Sequence, residues 1–218
     1  MAFSLRITLS VLGLVFLPQL VMAQTNFLHF DIPYLVYDIE EYADGLWFYS
    51  ELIDYPEMYG FSLDATTTVN FSIDAIDHTG RVPGFSGIVV KDQGQEGVRE
   101  VGRFLANDAS WDVYTDPRTK MQYREGPSKS FTLGPGNYRV EVSTPNNRGR
   151  YVLKLGPATT PTSGYVQALR EIRATHHFHD YGALHMLRTS HVYLPPLILF
   201  IGLGIFATYR YARRRRLL

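Results

Sequence analysis

The sequence predicts a mainly β protein: an antiparallel β-sandwich of jelly-roll type, followed by a juxtamembrane helix and a single C-terminal transmembrane helix. Three observations carry this. Short runs rich in β-branched and aromatic residues, separated by Gly, Pro, Asn and Asp turns, fill residues 45–156. An uncharged run of eighteen residues, Val192 to Tyr209, is followed at once by an arginine cluster. The chain also contains no cysteine, so a domain folding in an oxidising compartment must be held by its core rather than by disulfides.

Residues 1–23 read as a signal peptide. Arg6 supplies the positive start, "ITLSVLGLVFLPQLV" the apolar stretch, and "VMA" the small or aliphatic residues before cleavage after Ala23. Residues 24–44 are an N-terminal extension and 45–157 the sandwich. Its eight expected strands are "GLWFYSEL" (45–52), "MYGFSLDA" (58–65), "TTVNFSIDAI" (67–76), "SGIVVKD" (86–92), "WDVYTD" (111–116), "KSFTL" (129–133), "YRVEVST" (138–144) and "RYVLKLG" (150–156). In the third, Val69, Phe71 and Ile73 alternate with Asn70, Ser72 and Asp74, the period of a strand buried on one face. Residues 94–109 read as a longer connection or a short helix. Residues 158–164 form a Pro- and Thr-rich linker.

Residues 165–191 are expected to form the juxtamembrane helix, 192–211 the transmembrane helix and 212–218 a basic cytoplasmic tail. At about 1.5 Å per residue the uncharged run just covers a bilayer core. Tyr193, Tyr209 and Tyr211 flank it, and Arg210, Arg213, Arg214, Arg215 and Arg216 hold its end in the cytoplasm. The topology is therefore type I in a cell (inner) membrane, with residues 24–191 in the periplasm or outside the cell. Because the run holds no acid, base or histidine, it carries no ion or proton path of its own.

The formal net charge of zero hides an asymmetry. Residues 24–80 hold eleven acids and no Lys or Arg, whereas residues 81–191 hold fifteen basic against ten acidic residues. The exterior is thus acidic, which argues against nucleic acid as a partner. No G-x-S-x-G turn, H-E-x-x-H pair or phosphate-cradling glycine loop occurs, and without cysteine there is no thiolate chemistry. The expectation is a non-catalytic protein with no cofactor. The segment from Phe27 to Phe61 is crowded with aromatics and acids, the composition of a docking surface. Phe30, Tyr34, Tyr37 and Tyr42 are its candidate partner-binding residues, while Trp47, Phe48 and Tyr49 are assigned partly to the core.

The segment "ATHHFHDYGALH" (174–185) packs four histidines into twelve positions. On a helical wheel Tyr165, Leu169, Ile172, His176 and His179 share one face, the candidate second contact with a partner. His176, His179 and Asp180 stand at i, i+3 and i+4, a spacing at which two imidazoles and a carboxylate converge on one metal ion. The competing reading is a helix face packed against headgroups or protein.

Residues 131–156, "FTLGPGNYRVEVSTPNNRGRYVLKLG", resemble the closing strands of the bacterial prepeptidase C-terminal β-sandwich. Pro135, Gly136, Tyr138, Val140, Val142, Gly149, Tyr151, Leu153 and Leu155 occupy that family's pattern, and the resemblance extends over residues 45–156. It implies a non-catalytic appendage that binds or positions. No tight Asp-x-Asp run of the calcium-binding members is present. The expected function is an accessory subunit or adaptor that docks on a larger membrane protein complex and is anchored in the lipid bilayer. Alternatives are a surface protein with an exosortase-like C-terminal sorting tail, which lacks the Pro-Glu-Pro signature, and a glycan-binding module relying on Trp47.

Overall fold

A computed structural model describes residues 25–29, 32–40, 42, 45–76, 84–116, 119–156, 165–180 and 190–215. The expected signal peptide, Phe30, the linker 158–164 and Arg216 lie outside them. The chain forms β1 (Thr25–Phe27), β2 (Val36–Asp38), β3 (Leu46–Ile53), β4 (Glu57–Leu63), β5 (Thr67–Ile76), β6 (Ser86–Asp92), β7 (Val98–Phe104), β8 (Val113–Thr115), β9 (Gln122–Leu133), β10 (Gly136–Ser143) and β11 (Arg148–Leu155). Two helices follow, α1 (Tyr165–Phe178) and α2 (Ser190–Arg215).

The strands pair into a six-stranded sheet, β1-β3-β11-β5-β9-β8, and a five-stranded sheet, β2-β4-β10-β6-β7. Between them lies a core of inward residues from both sheets, among them Phe48, Tyr59, Phe61, Phe71, Ile73, Phe104, Val140, Tyr151 and Leu153. Alternation supplies it. Tyr151, Leu153 and Leu155 of β11 point inward, as do Val69, Phe71 and Ile73 of β5. The sandwich is therefore as expected, but not purely antiparallel. β1 pairs parallel with β3, and β2 pairs parallel with β4. Within about a dozen residues the N-terminal segment passes from one sheet to the other and straps them together.

Two further differences have local causes. β7, expected as a connection, is an edge strand exposed on both faces over most of its length, so its side chains show no period of two. β9 is more than twice its expected length because the strand continues through Gly126 and Pro127, which sit in a bulge. The register skips from Ser72–Ser128 to Asp74–Glu125, leaving both residues opposite Ile73. Gly126 is required there: a Cβ would lie 2.2 Å from the Ile73 carbonyl oxygen and 2.8 Å from the Trp111 ring.

Helix α2 coincides with the apolar run and the arginines. Ile198, Leu199, Phe200, Ile201, Leu203, Ile205 and Phe206 are all exposed, and Arg210 rests 5.9 Å from the Phe206 ring. Thr208 turns its hydroxyl back onto the carbonyls of Gly204 and Ile205. Among the described residues no helix is long and apolar enough to cross a membrane, so the structure does not bear out the expected transmembrane helix over 192–211. The side chains of residues 191–197 lie outside the description.

Replacing Gly126 by Ala is expected to destabilise the sandwich by about 1–3 kcal/mol through backbone displacement at the bulge, read as a lower urea midpoint at unchanged m-value.

Candidate functional site

β3 reads "LWFYSELI", and its first five residues are all buried. A strand covered on one face would alternate, so this one is covered on both. Leu46, Phe48 and Leu52 enter the inter-sheet core. Trp47 and Tyr49 point the other way, joining Ile76, Met121, Tyr123 and Val152 in a second apolar cluster on the outer face of the six-stranded sheet. Phe27 and Phe178 pack against it.

Helix α1 is the third layer. Ile172, Thr175, His176 and His179, at helical spacing on one face, are each no more than 1% exposed. Phe178 stands edge-on to Tyr49, with ring centroids 5.7 Å apart, and near Phe27 at 6.0 Å. His179 meets Tyr123 edge-on at 5.3 Å. Its Nδ1 lies 2.7 Å from the Thr175 carbonyl oxygen, which places a proton on Nδ1 because a carbonyl only accepts. The helix end is clasped by Arg150 of β11. Its Nη1 donates to the Phe178 carbonyl (2.8 Å) and the Asp180 carboxylate (2.5 Å), and its Nε donates to Glu51 (2.9 Å). A cation at a helix C-terminus also complements the helix dipole.

This arrangement reassigns several expected residues. Ile172, His176 and His179 are all buried within their own chain, His179 against Tyr123 of the sandwich. Asp180 adopts a left-handed backbone (φ 54°) just beyond the helix and pairs with Arg150. Among the described residues no group of three or more His, Cys, Asp or Glu is placed to hold a metal ion. The side chains of Tyr165 and Leu169 are outside the description. Tyr37 and Tyr42 are half-buried against the inter-sheet core, Tyr37 near Phe48 and Tyr59 and Tyr42 near Phe61. Trp47 is 5% exposed beneath the Lys154 ammonium and offers no platform to a sugar. Of the arginines expected at the membrane, Arg210 and Arg213 are exposed, and the side chains of Arg214 and Arg215 are outside the description.

Tyr34 does face solvent, at 66% exposure. It belongs to a turn in which Ile32 is 60% and Leu35 48% exposed, with Pro33 between. The Leu35 N–H reaches back to the Ile32 carbonyl at 3.4 Å, and Tyr34 is held at φ 61°. Proline followed by a positive φ is a type II pattern that normally takes glycine at the second position. A tyrosine there carries backbone strain of about 1 kcal/mol. Ile32 and Leu35 were not singled out from the sequence, because a three-residue apolar turn has no period to detect.

Two buried polar clusters escaped sequence reading as well. Glu57, 1% exposed at the start of β4, accepts from the Tyr151 hydroxyl at 2.5 Å and from Tyr59 at 3.3 Å, and the two phenols lie 2.7 Å apart. Burial pushes the Glu57 carboxyl up from its ordinary value of 4.5, against the pull of Tyr151, the nearby Ser50 hydroxyl, Tyr59 and the charge of His29. Its Oε1 accepts no hydrogen bond among the described residues. On the outer face, Lys154 of β11, Asp74 of β5 and Tyr114 of β8 converge, with both Lys154 Nζ and the Tyr114 hydroxyl donating to Asp74 Oδ2. Burial, then the Asp74 charge, raises the Tyr114 phenol so that it stays a donor.

No family model and no curated protein matches the chain. Among solved structures it is similar to the pre-peptidase C-terminal domain of collagenase from Bacillus anthracis, at 15% identity and a TM-score of 0.38 over 57% of this chain and 98% of that one. It is also similar to PliG of Aeromonas hydrophila, a periplasmic inhibitor of g-type lysozyme, at 12% identity and 0.36 over 61% and 98%. The first represents the sandwich that residues 131–156 resemble. At these scores neither likeness speaks to what the chain does.

Two outcomes are expected from this geometry. Between pH 4.5 and the raised folded-state value, the folded chain keeps the Glu57 proton that the unfolded chain has released. The Glu57 contribution to stability therefore falls as pH rises through that window. Glu57→Gln is expected to flatten this decline and raise the melting temperature at pH 7 by about 2–6 °C, measured by calorimetry across pH. Phe178→Ala is expected to weaken α1 docking by about 2 kcal/mol, seen as faster tryptic cleavage after the exposed Arg173 with the strand signal in circular dichroism retained.

Proposed function

We propose that the chain is a non-catalytic, extracytoplasmic adaptor, anchored in a membrane through α2 and docked on a larger membrane protein complex. The observation that carries this reading is the strained turn Ile32–Leu35. It presents three large apolar side chains to solvent where burial would be worth about 1.5–3 kcal/mol each. A left-handed tyrosine persists only where the surrounding structure holds it, and such strain gathers at functional positions.

The neighbourhood indicates the chemistry of the partner. Asp38 and Glu40 follow the turn in sequence, and Tyr34 touches Tyr55 beside Asp54. A partner that receives the turn would offer an apolar cleft with a basic rim. The α1 clasp supports an adaptor rather than a loosely tethered domain. Only eleven residues separate α1 from α2, so a sandwich fixed to α1 is held close to whatever α2 is embedded in. Support for the anchor itself comes from the exposed apolar side chains of α2 and the arginines that follow. In this reading the sandwich faces the periplasm or the cell exterior.

Gentle detergent extraction of the full chain from its native membrane is expected to yield a stoichiometric partner. Replacing Ile32, Tyr34 and Leu35 together by Ser is expected to lower its recovery at least about tenfold, the equivalent of 1.4 kcal/mol, with an unchanged melting temperature. A monodisperse monomer from wild-type membranes would overturn the proposal.

A further inference from the structure

Among the described residues Lys154 is the one lysine or arginine that is buried, with its side chain 9% accessible and that of its partner Asp74 3%. The two lie on neighbouring strands of the six-stranded sheet. Asp74 is registered opposite Val152, two positions from Lys154, so the ladder fixes their approach. Trp47, registered opposite Lys154 on the other side, places its ring 4.4 Å from Nζ. The Tyr114 ring lies 5.4 Å away. An ammonium and a carboxylate enclosed by aromatic rings lose most of their hydration, and their mutual attraction recovers that cost only in part.

Three groups meet at a single oxygen. Lys154 Nζ and the Tyr114 hydroxyl both contact Asp74 Oδ2, and Nζ lies 3.0 Å from the phenolic oxygen. In a desolvated pair, passing the ammonium proton to the carboxylate removes both charges and leaves a neutral amine against a carboxylic acid. A neutral, desolvated lysine is a nucleophile, and fixed contact supplies the effective concentration that a free amine and acid lack.

We propose that Lys154 and Asp74 are joined by an intramolecular isopeptide bond that closes once the sheet has formed. Nζ attacks Asp74 Cγ, the N–C bond forms, and the Cγ–Oδ2 bond breaks. The Tyr114 hydroxyl delivers its proton to the departing Oδ2 and takes one from Nζ, so it ends unchanged. The balance is one ammonium and one carboxylate giving one amide and one water, with no oxidant or cofactor. The link would tie β5 to β11 across 80 positions of sequence in a chain that has no cysteine to cross-link. It does not depend on the adaptor reading.

The test is the intact mass of the full-length protein under denaturing conditions, followed by tryptic mapping. The expected mass is lower than that of the processed sequence by one water. A branched peptide is also expected, in which the Lys154 peptide, uncleaved at that lysine, carries the segment containing Asp74. Lys154→Arg and Asp74→Ala should each restore the full mass. Tyr114→Phe keeps the ring and removes the relay, and should leave a substantial unlinked fraction. An unmodified wild-type mass, or a water loss confined to one linear peptide, would overturn the proposal. Complete linkage in Tyr114→Phe would overturn the part assigned to the tyrosine.

Discussion

The six-stranded sheet carries an apolar cluster on each face, and the rest of the molecule is arranged around that fact. One face is satisfied by the five-stranded sheet, as in any sandwich. The other carries Trp47, Tyr49, Ile76, Met121, Tyr123 and Val152, and without a cover it would be a patch of the kind that drives association. Helix α1 provides that cover from the same chain. Its sequence position, between the last strand and the apolar helix, places a structural lid where the chain leaves the sandwich.

Arg150 is the hinge of this arrangement because it serves three elements at once. It accompanies Tyr151, which enters the inter-sheet core, and it faces outward to close the helix end through Phe178 and Asp180 while holding Glu51 on β3. The N-terminal strap acts in the same direction from the other side. β1 brings Phe27 onto Tyr49 at 4.7 Å, and Phe27 in turn meets Phe178. Strap, sheet and helix thus share one aromatic cluster, so loosening any of them exposes the other two. The strained Ile32–Leu35 turn lies between β1 and β2 in the strap, so its position is set by pairing to both sheets.

Much of this was legible in residues and much was not. Strands with a clear period of two, such as β5 and β10, lie within two residues of their expected bounds because alternation is a property of the strand itself. The helix face holding Ile172, His176 and His179 was legible for the same reason, since a wheel shows which residues share a side. What the side touches was not legible: histidines beside an apolar run read as partner or metal contacts, whereas His179 meets Tyr123 and the neighbouring Phe178 meets Tyr49. The unbroken run of β3 was the available signal that a second layer covers the sheet. Glu57 and the Lys154–Asp74–Tyr114 cluster gave no signal, because each joins residues from strands far apart in sequence, and only the strand order brings them together.

The central claim is that α1 is a permanent layer of the fold. Amide hydrogen exchange over α1 in the full-length protein tests it most directly, because an isolated helix of 14 residues is marginal in water and its amides exchange quickly. If the helix is a layer, the amides around Ile172, Thr175, His176 and His179 will exchange as slowly as those of β3 and β11, through the same opening. Exchange of α1 at the rate of a free helix, with β3 and β11 still protected, would contradict the account.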